Sequence, residues 1–311
     1  MFKKILVPLD SSDLAEYALQ PAVWMAQQTN GEVTLLHILE HHTVLIPEGP
    51  EMMGHSLYYP ETNFSQEEAA SREYLNNLQY GLGRTHPDLN WNGRIEEGDP
   101  AAQIVDVAAA EESDLIVMST HGYSGMTRWV LGSVAEKVLP HAPCPVFIVR
   151  SQQSIQHILI ALDGSPLAET SLPLGLDIAQ AFDTNVTLLR VEDNSYQASP
   201  DAIQELNQQE SGLGERYRHS VDTQTAQYLH RIAVDYGRTD LNLEMAVGYG
   251  KPAPTILQFV EEQEIDLVVM STHGRTGLSR WRYGSVAEKV LRGVGCAMLI
   301  NRPHIDDFRN P

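Results

Sequence analysis

The sequence predicts an α/β protein of two tandem domains, each a parallel β-sheet with helices on both faces. Three observations carry this. A chain of 311 residues is long enough for two domains with separate cores. The segment Asp114–Leu139 (DLIVMSTHGYSGMTRWVLGSVAEKVL) returns as Asp266–Leu291 (DLVVMSTHGRTGLSRWRYGSVAEKVL), with 19 of 26 positions identical at an offset of 152. Ile5–Asp10 (ILVPLD) likewise returns as Ile158–Asp163 (ILIALD) at an offset of 153, so the halves are collinear and divide near the SQQS of Ser151–Ser154, giving domains 1–152 and 153–311. Within each half, short β-branched runs alternate with longer segments of helical period, the pattern of βαβ units.

Taken in order, the strand-like runs of the first half are Lys4–Leu9, Glu32–Leu39, Trp91–Glu96, Asp114–Ser119 and Pro145–Arg150. Those of the second are His157–Leu162, Asn185–Val191, Leu241–Val247, Asp266–Ser271 and Cys296–Asn301. Their near-continuous hydrophobicity fits strands covered on both faces. Helix starts are marked by Ser12 or Asp13 before an Ala/Leu-rich run, by Pro100 and Pro252 near first turns, and by Ser133 and Ser285 after glycine. Two long connections, Glu40–Asn63 and roughly Asp193–Gly214, read as lids or partner-contact segments.

Composition is that of an ordinary globular chain, 42% hydrophobic and 20% charged, but the charge is lopsided: 21 Lys and Arg against 41 Asp and Glu, a net −20. The long-range field repels nucleic acid and anionic membrane, so neither is an expected partner, and an anionic ligand needs a locally built site. The N-terminal MFKKILVPLD is too short in apolar residues for a signal peptide or a span, which reads as a cytoplasmic protein. The two cysteines, Cys144 and Cys296, read as buried small apolar residues rather than a bridge.

The segment that carries chemistry follows the fourth strand of each half. Ser119-Thr120-His121-Gly122 is followed nine residues later by Gly132-Ser133, and Ser271-Thr272-His273-Gly274 by Gly284-Ser285. A strand running into a glycine loop exposes main-chain N–H groups, and a helix starting at Gly-Ser adds the amides of its first turn and the positive end of its dipole. Together these suit a phosphate. Gly132 and Gly284 admit close approach of an oxygen, while the Ser133 and Ser285 hydroxyls either cap the helix or bond phosphate.

These residues resemble the universal stress protein family in its tandem form, over almost the whole chain. The family's Gly-x2-Gly-x9-Gly-(Ser/Thr) signature is met at the second and third glycines and the final serine; at the first glycine the chain has Ser119 and Ser271. The resemblance implies Rossmann-like domains with five parallel strands in the order 3-2-1-4-5, a nucleotide site at the switch between strands 1 and 4, and pairing of the domains through their fifth strands as an intrachain pseudo-dimer. It implies a first site of Pro8, Asp10, Ile38, Met118, Ser119, His121, Gly122, Gly132, Ser133 and Val134. The second comprises Ala161, Asp163, Val191, Met270, Ser271, His273, Gly274, Arg275, Gly284, Ser285 and Val286. Asp10 and Asp163 would contact the adenosine, Ile38 and Val191 the adenine; Pro8 matches the family's strand-1 proline and Ala161 does not. The loops Gly98-Asp99-Pro100 and Gly250-Lys251-Pro252 rim the same pockets. The implied ligands are ATP and Mg²⁺, and the implied role is a nucleotide-dependent stress-response or signalling module.

Other readings stay open on the residues alone. Asp10 and Asp163 also suit helix capping. His121 and His273 suit backbone hydrogen bonding or acid–base work, and His41, His42 and His55 a solvated loop or a metal. Trp129 and Trp281 suit packing at the domain contact. From Met118 to Pro140 the charges are Arg128 and Lys137 against Glu136, net +1; from Met270 to Arg292, Arg275, Arg280, Arg282, Lys289 and Arg292 stand against Glu288, net +4. The C-terminal half is therefore expected to hold ATP more tightly. No Gly-x4-Gly-Lys-(Ser/Thr) loop is present, so rapid turnover is not expected and no catalytic residue is assigned. The alternatives are a nucleotide-free scaffold and a slow ATPase or phosphotransferase; a homodimer and an unidentified protein partner complete the expectations.

Overall fold

The computed structural model describes residues 2–40, 44–45, 56–57, 61–120, 131–152, 154–192, 204–205, 207–208, 213–238, 240–272 and 284–303. The chain divides into two compact units. Among the described residues, one comprises 2–120 and 132–144, and the other comprises 131 and the residues from 145 to 303.

In the first unit, β1 (Lys4–Leu9), β2 (Glu32–Leu39), β3 (Asn90–Glu97) and β4 (Leu115–Ser119) form a parallel sheet in the order β3-β2-β1-β4. Crossover helices join parallel strands: α1 (Leu19–Thr29) follows a single 3₁₀ turn at Ala15–Ala18, and α2 (Glu61–Thr85), α3 (Pro100–Ala110) and α4 (Ser133–Val138) follow. The Ser12 hydroxyl accepts the Ala15 amide at 3.1 Å, so the expected start signal caps the 3₁₀ turn. α1 ends because Asn30 takes a left-handed conformation, φ 48°. Leu35, Leu36, Ile104, Leu115 and Ile116 at the sheet face are among the fully buried side chains.

The second unit repeats this with β6 (His157–Leu162), β7 (Asn185–Glu192), β8 (Leu243–Tyr249), β9 (Leu267–Ser271) and β10 (Ala297–Asn301), in the order β8-β7-β6-β9-β10. This is the 3-2-1-4-5 order of the resemblance. Its helices are α5 (Ser171–Phe182), α6 (Leu213–Tyr236), α7 (Pro252–Glu262) and α8 (Ser285–Gly293), with a helical turn at Pro166–Glu169 before α5. The fifth run of the first half, β5 (Val146–Val149), belongs to this unit, antiparallel to β10 with Phe147 opposite Leu299. Thus the two fifth strands do lie side by side.

A carboxylate clamp recurs at the amino end of each sheet. Asp114 Oδ2 accepts the Lys3 and Lys4 amides at 2.8 and 3.0 Å, and Asp266 Oδ2 those of Gln156 and His157 at 2.8 and 3.1 Å. The aspartates that open the repeated motif are therefore structural: they tie strand 4 to strand 1. Cys144 and Cys296 are free and buried, and burial pushes each thiol up to about 12, which makes them inert packing groups. Among the described residues no helix is long and apolar enough to cross a membrane. The segment 40–63 contributes a two-residue antiparallel ladder, Val44–Leu45 with Ser56–Leu57, and the first residues of α2; α6 likewise begins at Leu213. Apart from Glu40, 204–205 and 207–208, the rest of both long connections, with His41, His42 and His55, lies outside the described residues.

Candidate functional site

The switch point opens where β1 parts from β4. β1 pairs with β2 along its whole length but with β4 only through Ile5 and Leu6, so Pro8, which has no N–H to give a ladder, sits just beyond the shared hydrogen bonds. The resulting crevice is a cavity of about 280 Å³. Pro8, Asp10, Ile38, Met118, Ser119, Gly132, Ser133 and Val134 all line it, so the described part of the expected first site converges on one space. Leu9, Ala15, Glu40, Pro100, Ile104, Thr120 and Ala135 complete the wall. Of these, Ile104 could have been found from helical period, since it lies four residues after the rim residue Pro100 on α3. Glu40, the residue after β2, carried no such signal.

Polar groups are arranged around an apolar floor. Asp10 is exposed, and its Oδ1 accepts from the Ser12 amide and hydroxyl at 3.1 and 2.5 Å. In the second unit Asp163 Oδ1 accepts the Ser165 amide at 2.9 Å, and Ser165 caps the next helical turn through Ala168 N at 3.1 Å. Each aspartate therefore braces its loop through Oδ1. α4 and α8 begin after Gly132 and Gly284, neither of which supplies a side-chain cap, and Ser133 and Ser285 occupy the first helical position rather than the cap. The cap residue itself therefore supplies no side-chain acceptor to the first-turn amides at either helix. Gly132 (φ −60°) and Gly284 (φ −54°) have ordinary negative φ, so their value is the absent side chain rather than an unusual backbone.

Ser119 and Ser271, where the family signature has glycine, are not among the residues with positive φ, so serine fits the backbone at both. The Ser271 hydroxyl is held: Thr170 Oγ1 lies 2.9 Å away, and Asn301 Nδ2 donates to the Thr170 carbonyl and hydroxyl at 3.2 and 3.0 Å. The equivalent first-half residues are Tyr17 and Val149, which cannot repeat this knot. Next to it, Thr272 Oγ1 is buried with no partner among the described residues. In contrast to the serines, Gly98 (φ 132°) and Gly250 (φ 129°) demand glycine, and their amides donate to Leu39 and Glu192 carbonyls, each at 3.0 Å, fixing the rim loops against the second strands.

The remaining second-site residues follow the same register. Ala161 is near the end of β6, Val191 near the end of β7 and Met270 with Ser271 at the end of β9, while Gly284, Ser285 and Val286 open α8 and Asp163 follows β6. Outside the described residues lie His121, Gly122, His273, Gly274 and Arg275, with Tyr123, Arg128, Trp129, Arg280, Trp281 and Arg282.

The structure also shows a support for the strand-1 loop that the sequence did not reveal. Arg190 lies under Gly164, whose missing Cβ would be 2.8 Å from Nη1, and is held by Glu192 Oε1 at 2.8 Å and by the Tyr228 ring, 4.9 Å away. The first half has Ser11 and His37 at these places. His37 is buried edge-on to Tyr74, whose hydroxyl donates to Glu16 Oε1 at 3.0 Å, and the His37 Nδ1 has no partner among the described residues. Burial holds the His37 imidazole below its usual range, against a backbone hydrogen bond with Leu9 and the charges of Asp10 and Glu67. Its neutral form is thus native, and the unfolded chain takes up the proton first, from about pH 6.5 downward. Stability carried by His37 is present above that pH and lost as the pH falls through the lower folded-state value. Urea midpoints from pH 7.5 to 5 should drop less in His37→Phe than in the parent; equal slopes would remove His37 as a contributor.

The sequence profile described as "Universal stress protein family" matches twice, over residues 1–150 and 154–302. A universal stress protein of Mycolicibacterium smegmatis is 25% identical over 309 residues, covering 96% of this chain and 97% of the relative. One from Methanocaldococcus jannaschii is 32% identical over 152 residues, 48% of this chain and 83% of its own length. In fold, the crystal structure of a putative universal stress protein from Pseudomonas aeruginosa matches with a TM-score of 0.69 at 19% identity, covering 97% of this chain and 94% of that one. The two profile matches span both halves of the duplication read from the sequence, and the chain belongs to the universal stress protein family, with two of its domains in tandem.

Proposed function

We propose that the chain binds ATP, with Mg²⁺ as the counter-ion brought by the nucleotide, and acts as a nucleotide-dependent stress-response or signalling module. The observation that carries this reading is the single cavity shared by Pro8, Asp10, Ile38, Met118 and the Gly132–Ala135 turn. Its floor is apolar enough for a purine, with Ile38, Ile104 and Met118 on the wall. Asp10 keeps Oδ2 available beside a braced Oδ1, an acceptor suited to ribose hydroxyls. The uncapped amides at Gly132 and Gly284 supply donors for phosphate oxygens without adding net charge. These residues bind and orient; none described here is placed to activate water.

A ligand that binds only the folded chain stabilises it by about 2.7 kcal/mol at a hundredfold excess over Kd, which in domains of this size moves the melting temperature by roughly 5–10 °C. Heating with and without millimolar Mg-ATP is expected to show that rise. An unchanged melting temperature, with no heat of binding by calorimetry, would leave a nucleotide-free scaffold as the reading.

A further inference from the structure

The two halves differ at one rim position in a way that changes the sign of the local charge. Asp99 caps α3: its Oδ1 accepts the Ala102 amide at 3.0 Å, and its Oδ2 meets Lys137 Nζ of α4 at 3.3 Å. The amide end of α3 and the lysine of α4 are thus both answered by one carboxylate, directly before Pro100 of the cavity wall. Asp10 and Glu40 add two more carboxylates on that wall. In the second half the rim residue is Lys251. It stands at the N-cap of α7 with no side-chain cap, Lys289 replaces Lys137, and among the described residues no carboxylate pairs with either. The unpartnered buried hydroxyl of Thr272 belongs to this half as well.

We propose that Asp99 and Lys251 set the phosphate preference of the two halves, the half with Lys251 favouring a nucleoside triphosphate over a monophosphate more strongly than the half with Asp99. The proposal rests on the nucleotide-binding reading above. Asp163 repeats Asp10, so the aspartate after the first strand is common to both halves; Asp99 and Lys137 cancel as a pair, which favours each added phosphate less than Lys251 and Lys289 do, neither having a carboxylate partner among the described residues. Exchanging −1 for +1 about one Debye length from a triphosphate alters affinity about fivefold to tenfold.

The test is calorimetric titration of the full chain with adenosine, AMP and Mg-ATP, in the parent and in Lys251→Asp, Asp99→Lys and Asp99→Asn; the last keeps an oxygen for the Ala102 amide and so preserves the helix cap. The parent should show two ATP affinities, with the smaller ATP-over-AMP ratio at the weaker site. Lys251→Asp should weaken ATP about fivefold to tenfold and leave adenosine unchanged, and both Asp99 variants should tighten ATP at the other site. High salt should erase these differences. If ATP binds both sites of the parent equally and the variants leave its affinity unchanged, the preference is refuted while nucleotide binding stands. If none of the three ligands binds, both readings fall.

Discussion

Phe147→Ala should lower stability by about 3–5 kcal/mol, the largest effect expected of any single core truncation in this chain. Phe147 is fully buried on β5, and it lies opposite Leu299 in the antiparallel pair with β10. Four residues give β5 little ladder to hold it, so its retention in the second compact unit depends on side-chain burial. Arg150, the residue after the strand, reinforces this by donating Nη2 to the Leu291 carbonyl in the last turn of α8, at 2.5 Å. Removing the ring leaves a cavity between β5 and its neighbours that rigid strands cannot close. Urea unfolding followed by circular dichroism is the measurement. A loss below about 1 kcal/mol would mean that β5 contributes little to this unit.

Most of the framework was legible because strands buried on both faces leave an unmixed apolar signal. Lys4–Leu9, Glu32–Leu39 and His157–Leu162 are read and observed with the same limits. The reading shifted at a sheet margin. The apolar run Leu241–Val247 proves to be β8 at Leu243–Tyr249, because the ladder with β7 continues through Gly248 and Tyr249 opposite Val191 and Glu192. Gly248, just past that run, is a packing requirement: a Cβ there would meet Thr255 Cγ2 at 2.7 Å.

The site was legible where residues recur in both halves and obscure where they do not. Asp10 with Asp163, and Gly132 with Gly284, stand out by repetition. Glu40, and the exchange of His37 for Arg190 beneath the strand-1 loop, follow from which face of β2 or β7 a side chain occupies and what the helix above offers. Neither is contained in a single-strand pattern. The Asp99–Lys137 pair is similar: each residue is visible in the sequence, but the 3.3 Å contact joins two helices 38 positions apart.

The largest functional effect is expected from Gly284→Asp, because it separates folding from binding by opposite signs. Gly284 has φ −54° and ψ 135°, an extended conformation open to any residue, and it is the uncapped N-cap of the nine-residue helix α8. Aspartate is among the preferred N-caps and exceeds glycine there by about a few tenths of a kcal/mol, so the unliganded variant should melt no lower than the parent. The same carboxylate would occupy the amides proposed to hold phosphate and place a like charge against it. Losing two such charge-assisted bonds costs at least about 2.7 kcal/mol, so ATP affinity at the second site should fall about a hundredfold or more. The thermal shift contributed by that site should vanish with it. Gly284→Ala, which adds a methyl where a phosphate oxygen would approach but no charge, should lose less binding than Gly284→Asp. A variant that melts as the parent does and still binds Mg-ATP with undiminished affinity would place the phosphates away from the start of α8.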